Sequence, residues 1–332
     1  MRLALCLFAL LVPVSAQTLI NGAGATFPYP IYSKWFDEYR KLHPGVEINY
    51  QSIGSGGGIR QLESGTVDFG ATDQPMNEEQ LAKSKNKPLH FPTVLGAVVA
   101  TYNLPGLNRE LNFTPEALAG IFLGKVKKWN DPALARANPG VPLPSNDIML
   151  VHRSDGSGTS FIWTDYLSKT SPEWKSQVGS GTSVNWPAGL GAKGNEGVAG
   201  MVKQTPYSLG YVELIYALQN SMPYGRVRNA AGKFVKPDLA SVTAAAAGAA
   251  ANMPDDFRVS ITNAPGKDAY PISSFTWLLI PSQIQDPAKK KILVDFLRWM
   301  LGAGQTMAEP LSYAPLPQLV VAKELKAIAA VQ

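Results

Sequence analysis

Apolar and polar positions along the chain change period repeatedly. Residues 17–21 alternate as a short strand. Small residues (GAGATFP) then lead into a helical stretch from about residue 28 to 43, with Ile31, Trp35, Tyr39 and Leu42 on one face. Pro28 suits the first helical turn, where its missing N–H would be unpaired anyway. Residues 46–53 predict a strand, Gly54-Ser55-Gly56-Gly57-Gly58 a turn, and the residues to about Ser64 a helix. The next strand spans residues 67–71 and ends at Thr72-Asp73. Apolar segments recur at 91–103, 147–151, 209–216 and 271–280, with helical patterns around 114–122, 158–169, 195–204 and 287–302. Strands alternating with helices predict an α/β protein with largely parallel sheets. The alanine-rich stretch 239–251 predicts a solvent-side helix, and no long-period repeat is visible.

The start of the chain adds a compartment. Met1-Arg2 precede an apolar run from Leu3 to Val14, closed by Val14-Ser15-Ala16. One cation, a short apolar core and a small-x-small site predict a secretory signal peptide over residues 1–16. A membrane anchor needs about 20 apolar residues, so the expectation is a soluble exported protein with no membrane span. Cys6, the one cysteine, lies inside that segment, too early for a lipoprotein site. The mature chain would hold no disulfide, thiolate nucleophile or cysteine metal site. Removing it leaves 332 − 16 = 316 residues and, through Arg2, lowers the net charge from +5 to +4. At about 100–200 residues per domain, that length predicts two domains. The basicity is mild, with no run beyond Lys289-Lys290-Lys291. It suits a small anion better than nucleic acid.

Three strand-to-helix turns repeat one chemical idea. The first is Gly22–Pro28, with Thr26 at the expected N-cap; the second is Ile53–Gly58, carrying Ser55; the third is RSDGSGTS, Arg153 to Ser160. A helix N-terminus offers free N–H donors and a partial positive charge. Any one such turn is ordinary capping chemistry, but three in one chain point to an anion site at the carboxyl ends of strands. Arg153 adds a planar cation able to grip an oxyanion with two parallel bonds. Its plainer alternative is a surface ion pair with Asp155, which would also hold the guanidinium in place. Asp73 is the odd member, a carboxylate among donors. It is either a helix cap or an acceptor for a protonated ligand oxygen. In the second case it discriminates: phosphate keeps a P–OH at neutral pH, whereas sulfate has no proton to give and would face a buried carboxylate.

Enzyme chemistry has little support. Gly156-Ser157-Gly158 and Gly54-Ser55-Gly56 miss the G-x-S-x-G spacing. His43, His90 and His152 show no metal-ligand or triad spacing, and Gly189–Gly194 lacks the Lys-Ser/Thr ending of a phosphate loop. The tryptophans and tyrosines read as core packing rather than a sugar-stacking cleft.

GAGATFPYPIYSKW, YQSIGSGGGIRQL, TVDFGATD, FPTVLGAVVATYN, IFLGKVKKWNDP, RSDGSGTSFIWTDYL and GLGAKGNEGVAG together resemble the periplasmic phosphate-binding proteins of high-affinity phosphate ABC transporters, from about residue 21 to 320. The resemblance implies a two-lobed type II periplasmic-binding-protein fold, two α/β domains joined by two hinge strands. Lobe one would comprise 17–92 and 271–332, lobe two 93–270, with hinges near 91–95 and 270–273. It implies inorganic phosphate bound by Thr26, Phe27, Ser55, Asp73, Arg153, Ser157, Gly158 and Thr159, with Asp155 orienting Arg153. It further implies a periplasmic monomer with no cofactor or metal, serving an inner-membrane ABC permease. Thr72 stands where the family often has Ser, and His152 where another Arg is common. Another oxyanion such as sulfate or molybdate, or a phosphatase or phosphotransferase using a turn serine, are the alternative readings.

Overall fold

The changes of period resolve into strands β1 (Thr18–Gly24), β2 (Val46–Ser52), β3 (Phe69–Thr72), β4 (Leu89–Asn103), β5 (Asn112–Phe113), β6 (Met149–Arg153), β7 (Leu190–Ala192), β8 (Ser208–Glu213), β9 (Arg226–Arg228), β10 (Phe234–Val235) and β11 (Ser273–Ile280), with helices between them. The computed structural model describes residues 17–107 and 109–332. The signal segment expected at residues 1–16, with Cys6, lies outside the described residues.

The main sheet runs β2-β1-β3-β11-β4-β8-β6-β7. β1 is parallel to β2 and β3, and β6 is parallel to β7 and β8. In the middle, β11 is antiparallel to β3 and β4, and β4 to β8. The expectation of largely parallel sheets therefore holds at both ends and fails at the centre. The reason is topological: the chain leaves one half by β4 and returns by β11, so these two strands run in opposite directions.

β4 carries the two-lobed architecture. Its residues from Leu89 to Ala97 pair with β11, and those from Val98 to Asn103 pair with β8. One continuous strand thus belongs to the half-sheets of both lobes. Pro92 has no N–H to give the ladder, and the register with β11 shifts opposite it, between Thr276 and Trp277. The apolar segment 209–216 splits in two: β8 ends at Glu213, whose carboxylate caps the helix Leu214–Gln219 by accepting from the Ile215 N–H at 2.8 Å. The helix Leu239–Ala251 buries Ser241, Val242, Ala245 and Ala246 and exposes Ala240, Thr243, Ala247, Gly248 and Ala251, while Leu239, Ala249 and Ala250 also pack against the core.

Each lobe is filled by its own aromatic cluster. Tyr32, Phe36, Tyr39 and Phe296 meet on one side, and Phe122, Trp163, Trp186 and Tyr211 on the other, Trp163 stacking on Tyr211 at 5.1 Å. Such pairs add about 0.5–1.5 kcal/mol each beyond their burial.

Candidate functional site

The three glycine-bearing turns meet at the junction of the two half-sheets, and their backbones interlock. The Gly56 N–H donates to the Gly156 carbonyl at 2.8 Å, and the Gly158 N–H to Ser55 Oγ at 3.1 Å. Only glycine permits this approach. A Cβ on Gly158 would stand 2.5 Å from Asp73 Oδ2 and 2.4 Å from Ser55 Oγ, and one on Gly54, whose φ is +84°, would meet Asp155 Oδ2 at 2.4 Å. The second and third turns are thus in direct contact.

Two of the three turns are not capping devices. The helix Tyr29–Leu42 has Pro28 at its N-cap, not Thr26 as the sequence suggests, and makes no side-chain cap bond. The helix Ser55–Glu63 starts at Ser55 itself behind Gly54, again without a side-chain cap. Only Ser157 caps, accepting from the Ser160 N–H at 3.0 Å ahead of the helix Gly158–Thr170. Thr26 and Ser55 are nevertheless buried, at 2% and 0% exposure. Their hydroxyls are free of the task that ordinarily explains such residues.

Where the hydroxyl protons point follows from what the oxygens accept. Ser55 Oγ accepts from two amides, Asp73 N and Gly158 N, both at 3.1 Å. Thr26 Oγ1 accepts from Asn195 Nδ2 at 2.8 Å and Asn195 N at 3.3 Å. Thr159 Oγ1 accepts from Asn195 Nδ2 at 3.0 Å. With two donors on each, the Ser55 and Thr26 hydroxyls are left to donate, Ser55 toward Asp73 Oδ2 at 3.5 Å, while Thr159 keeps one lone pair open. The amides of Thr26, Phe27 and Thr159 donate to no protein acceptor among the described residues. The Phe27 ring packs under Tyr313, whose hydroxyl donates to the Phe27 carbonyl at 2.6 Å, fixing this first turn.

Arg153 lies at the end of β6 with its side chain 1% exposed. Asp155 grips it from one side, Nε to Oδ1 at 2.8 Å and Nη2 to Oδ2 at 2.6 Å. The plain surface ion pair is thus replaced by a buried one. Against the penalty of its own burial, the Arg153 guanidinium holds the Asp155 carboxyl below the usual range. Asp155 Oδ1 also accepts from the Gly194 N–H at 3.1 Å. Nη1 of Arg153 has no partner and no contact with solvent. A buried guanidinium nitrogen without an acceptor is costly unless an anion comes to it.

Asp73 is the counterpoise. It does not cap a helix, since the next one, Glu78–Lys83, is capped by Asn77. It is 1% exposed, and Oδ1 accepts the Thr276 hydroxyl at 2.7 Å. Oδ2 lies 3.5 Å from Ser55 Oγ, leaving room for another donor. Burial raises its pKa to about 7, against the pull of Thr276, the charge of Arg153 and the Ser55 hydroxyl.

The structure therefore brings together Ser55, Asp73 and Gly158 by direct contact, Thr26 with Thr159 through Asn195, and Arg153 with Asp155. Ser157 and Phe27 flank them in sequence. Sequence reasoning missed Asn195, Thr276 and Tyr313. Asn195 had a usable signal: GAKGN at 191–195 is a fourth glycine-flanked strand-to-helix turn, leading from β7 into the helix Gly194–Gln204. Thr276 and Tyr313 come from distant segments and carry no local mark. A separate open cavity of ≈ 520 Å³, bordered by His90, Phe257 and Arg258, shares no residue with this site. Among the described residues no group of three or more His, Cys, Asp or Glu is placed to hold a metal.

Comparison with known proteins is consistent along nearly the whole chain. Residues 12–303 match the model of the PBP superfamily domain. The chain is 49% identical over 309 residues to the phosphate-binding protein PstS of Xylella fastidiosa, covering 93% of this chain and 84% of that protein. It is 47% identical over 324 residues to PstS of Pasteurella multocida, covering 97% and 93%. In fold it resembles the phosphate-bound high-affinity periplasmic phosphate-binding protein PfluDING, with a TM-score of 0.74 and 22% identity over 92% of this chain and 93% of that one. It likewise resembles the phosphate-binding protein of Stenotrophomonas maltophilia, with a TM-score of 0.70 and 18% identity over 93% of each chain.

Proposed function

The chain belongs to the PBP superfamily and, within it, to the PstS phosphate-binding proteins, and on that premise we propose that it captures inorganic phosphate between its two lobes and delivers it to an ABC permease for import. The observation that carries the reading is the mismatch between Arg153 and Asp73. A sealed, unpartnered guanidinium nitrogen belongs to a group of buried hydroxyls and amides with one carboxylate among them. A monoprotonated or diprotonated tetrahedral oxyanion satisfies both ends at once.

In this reading Thr26, Phe27 and Ser55 serve phosphate from the first lobe, with Asp73 accepting its proton. Arg153, Ser157, Gly158 and Thr159 serve it from the second, and Asp155 steers Arg153. The lobes would divide at 17–92 plus 271–332 and 93–270, hinging on β4 and on the approach to β11. Closure exchanges the water around the anion for fixed donors, which act more strongly away from solvent. No bond in phosphate needs to break. The protein would work as a monomer in the periplasm, exported by a signal segment at residues 1–16. Among the described residues no helix is long and apolar enough to cross a membrane.

Titration calorimetry of phosphate-stripped protein with phosphate, arsenate and sulfate tests this reading. Phosphate is expected to bind tightly and sulfate weakly. Sulfate should gain by about tenfold for each unit that the pH falls toward 7 and level off below it, because only a protonated Asp73 tolerates it and its carboxyl titrates at about 7. Absence of heat with phosphate, or equal affinity for sulfate at pH 8, would sink the proposal. Turnover of a generic phosphomonoester that vanishes in Ser157→Ala would favour an enzyme instead.

A further inference from the structure

Asn195 stands out because its amide holds one threonine hydroxyl from each of two turns, Thr26 and Thr159. It is fully buried, at 0% exposure, one residue into the helix Gly194–Gln204. Its Oδ1 accepts from the Glu213 N–H at 3.0 Å. That single bond settles which end of the amide is which, because a backbone N–H cannot donate to an NH₂ group. Nδ2 must then point the other way. There it spends one hydrogen on Thr26 Oγ1 at 2.8 Å and one on Thr159 Oγ1 at 3.0 Å. Thr26 belongs to the first lobe's turn, and Thr159 and Asn195 to the second's.

We propose that Asn195 is a positioning residue for phosphate: its amide fixes Thr26 and Thr159 as hydrogen-bond donors and ties the two lobes together only when they close. A threonine hydroxyl that could rotate would have to give up that freedom to point its proton at an oxyanion. Asn195 restricts it beforehand by donating to both oxygens, which favours turning each proton away from the amide. The backbone N–H of Asn195 reinforces it, donating to Thr26 Oγ1 at 3.3 Å. Because Nδ2 reaches across the cleft, the donor arrangement is complete only in the closed state. Closure and anion recognition are thereby the same event. Tyr216 seals the same edge, its hydroxyl donating to the Thr26 carbonyl at 2.5 Å.

This inference rests on the phosphate-binding reading, and the test separates the two. Calorimetry with inorganic phosphate is run between pH 5.5 and 8.5 on wild-type protein, Asn195→Ala, Asn195→Asp, Thr159→Val and the Asn195→Ala/Thr159→Val double variant, each first shown to unfold cooperatively. Asn195→Ala is expected to weaken binding about 10- to 100-fold, the range for hydrogen bonds to a charged partner. In the Thr159→Val background the same change should cost at least about threefold less, since one of its two targets is gone. Asn195→Asp keeps the shape but reverses the polarity. Its deficit relative to wild type should be largest at pH 8.5 and shrink as pH falls and the carboxyl regains a proton to donate. A merely structural asparagine would show neither the coupling nor the pH trend. Wild-type affinity in Asn195→Ala, an equal loss in both backgrounds, or a pH-independent deficit in Asn195→Asp overturns this role alone. Wild-type protein that takes up no phosphate overturns the functional reading and this role with it.

Discussion

The raised pKa of Asp73 carries a stability cost that is measurable without any ligand. Burial lifts its carboxyl from an ordinary 3.8 to about 7. Below pH 3.8 the folded and unfolded chains both hold the proton, and stability is at its fullest. Between 3.8 and 7 the unfolded chain has released it and the folded one has not, so stability falls as pH rises, by about 1.4 kcal/mol per unit. Above 7 the loss levels off at about 4 kcal/mol. Asp73→Asn keeps the acceptor for the Thr276 hydroxyl but has nothing to titrate. In phosphate-free buffer the variant should therefore gain on wild type by about 3 kcal/mol between pH 5 and pH 8. Urea denaturation followed by tryptophan fluorescence reads this directly, because five tryptophans, Trp35, Trp129, Trp163, Trp174 and Trp277, are fully buried. Phosphate at about a thousand times its dissociation constant should restore about 4 kcal/mol to wild type, and less to the variant. A stability difference that stays constant across the pH range would refute the account, showing that Asp73 is solvated or ionised at no cost.

Two further substitutions probe the opposite charge and the closing contact. Arg153→Ala removes the buried guanidinium that faces the site and leaves Asp155 without its partner. Phosphate affinity should fall at least about 100-fold and stability by about 3 kcal/mol, checked by calorimetry and chemical denaturation; unchanged affinity would make the pair purely structural. Gly158→Ala places a methyl group 2.5 Å from Asp73 Oδ2. It should hold the lobes apart, so that small-angle scattering shows no compaction on adding phosphate; normal compaction would mean that the closed geometry is not the binding geometry.

Much of the site was legible because its donors come from local motifs. A strand, a glycine-bearing turn and a hydroxyl before a helix occupy a few consecutive residues, and Thr26, Ser55 and Arg153 to Thr159 each sit in such a motif. Their precise work was less legible. Thr26 reads as an N-cap in sequence yet Pro28 takes that place, because a cap is decided by where the helix begins and not by residue type. Asn195 passed unnoticed although its turn resembles the others, since an asparagine there means nothing until Thr26 arrives from another lobe.

Sequence alone determined the alternation of strands and helices, the three donor turns and the presence of one arginine and one carboxylate beside them. Those are properties of short stretches, governed by hydrophobic period and local backbone freedom. Tertiary structure decided the rest. It ran β4 through both half-sheets and β11 back against it, so the parallel ends meet across an antiparallel centre. It buried Arg153 with one nitrogen unanswered, raised Asp73 by taking water away, and joined threonine hydroxyls of two separate turns to one asparagine amide. Charge state and hydrogen-bond direction depend on what surrounds a group in space, and along a chain that information is spread over segments as much as 200 residues apart, as Asp73 and Thr276 are.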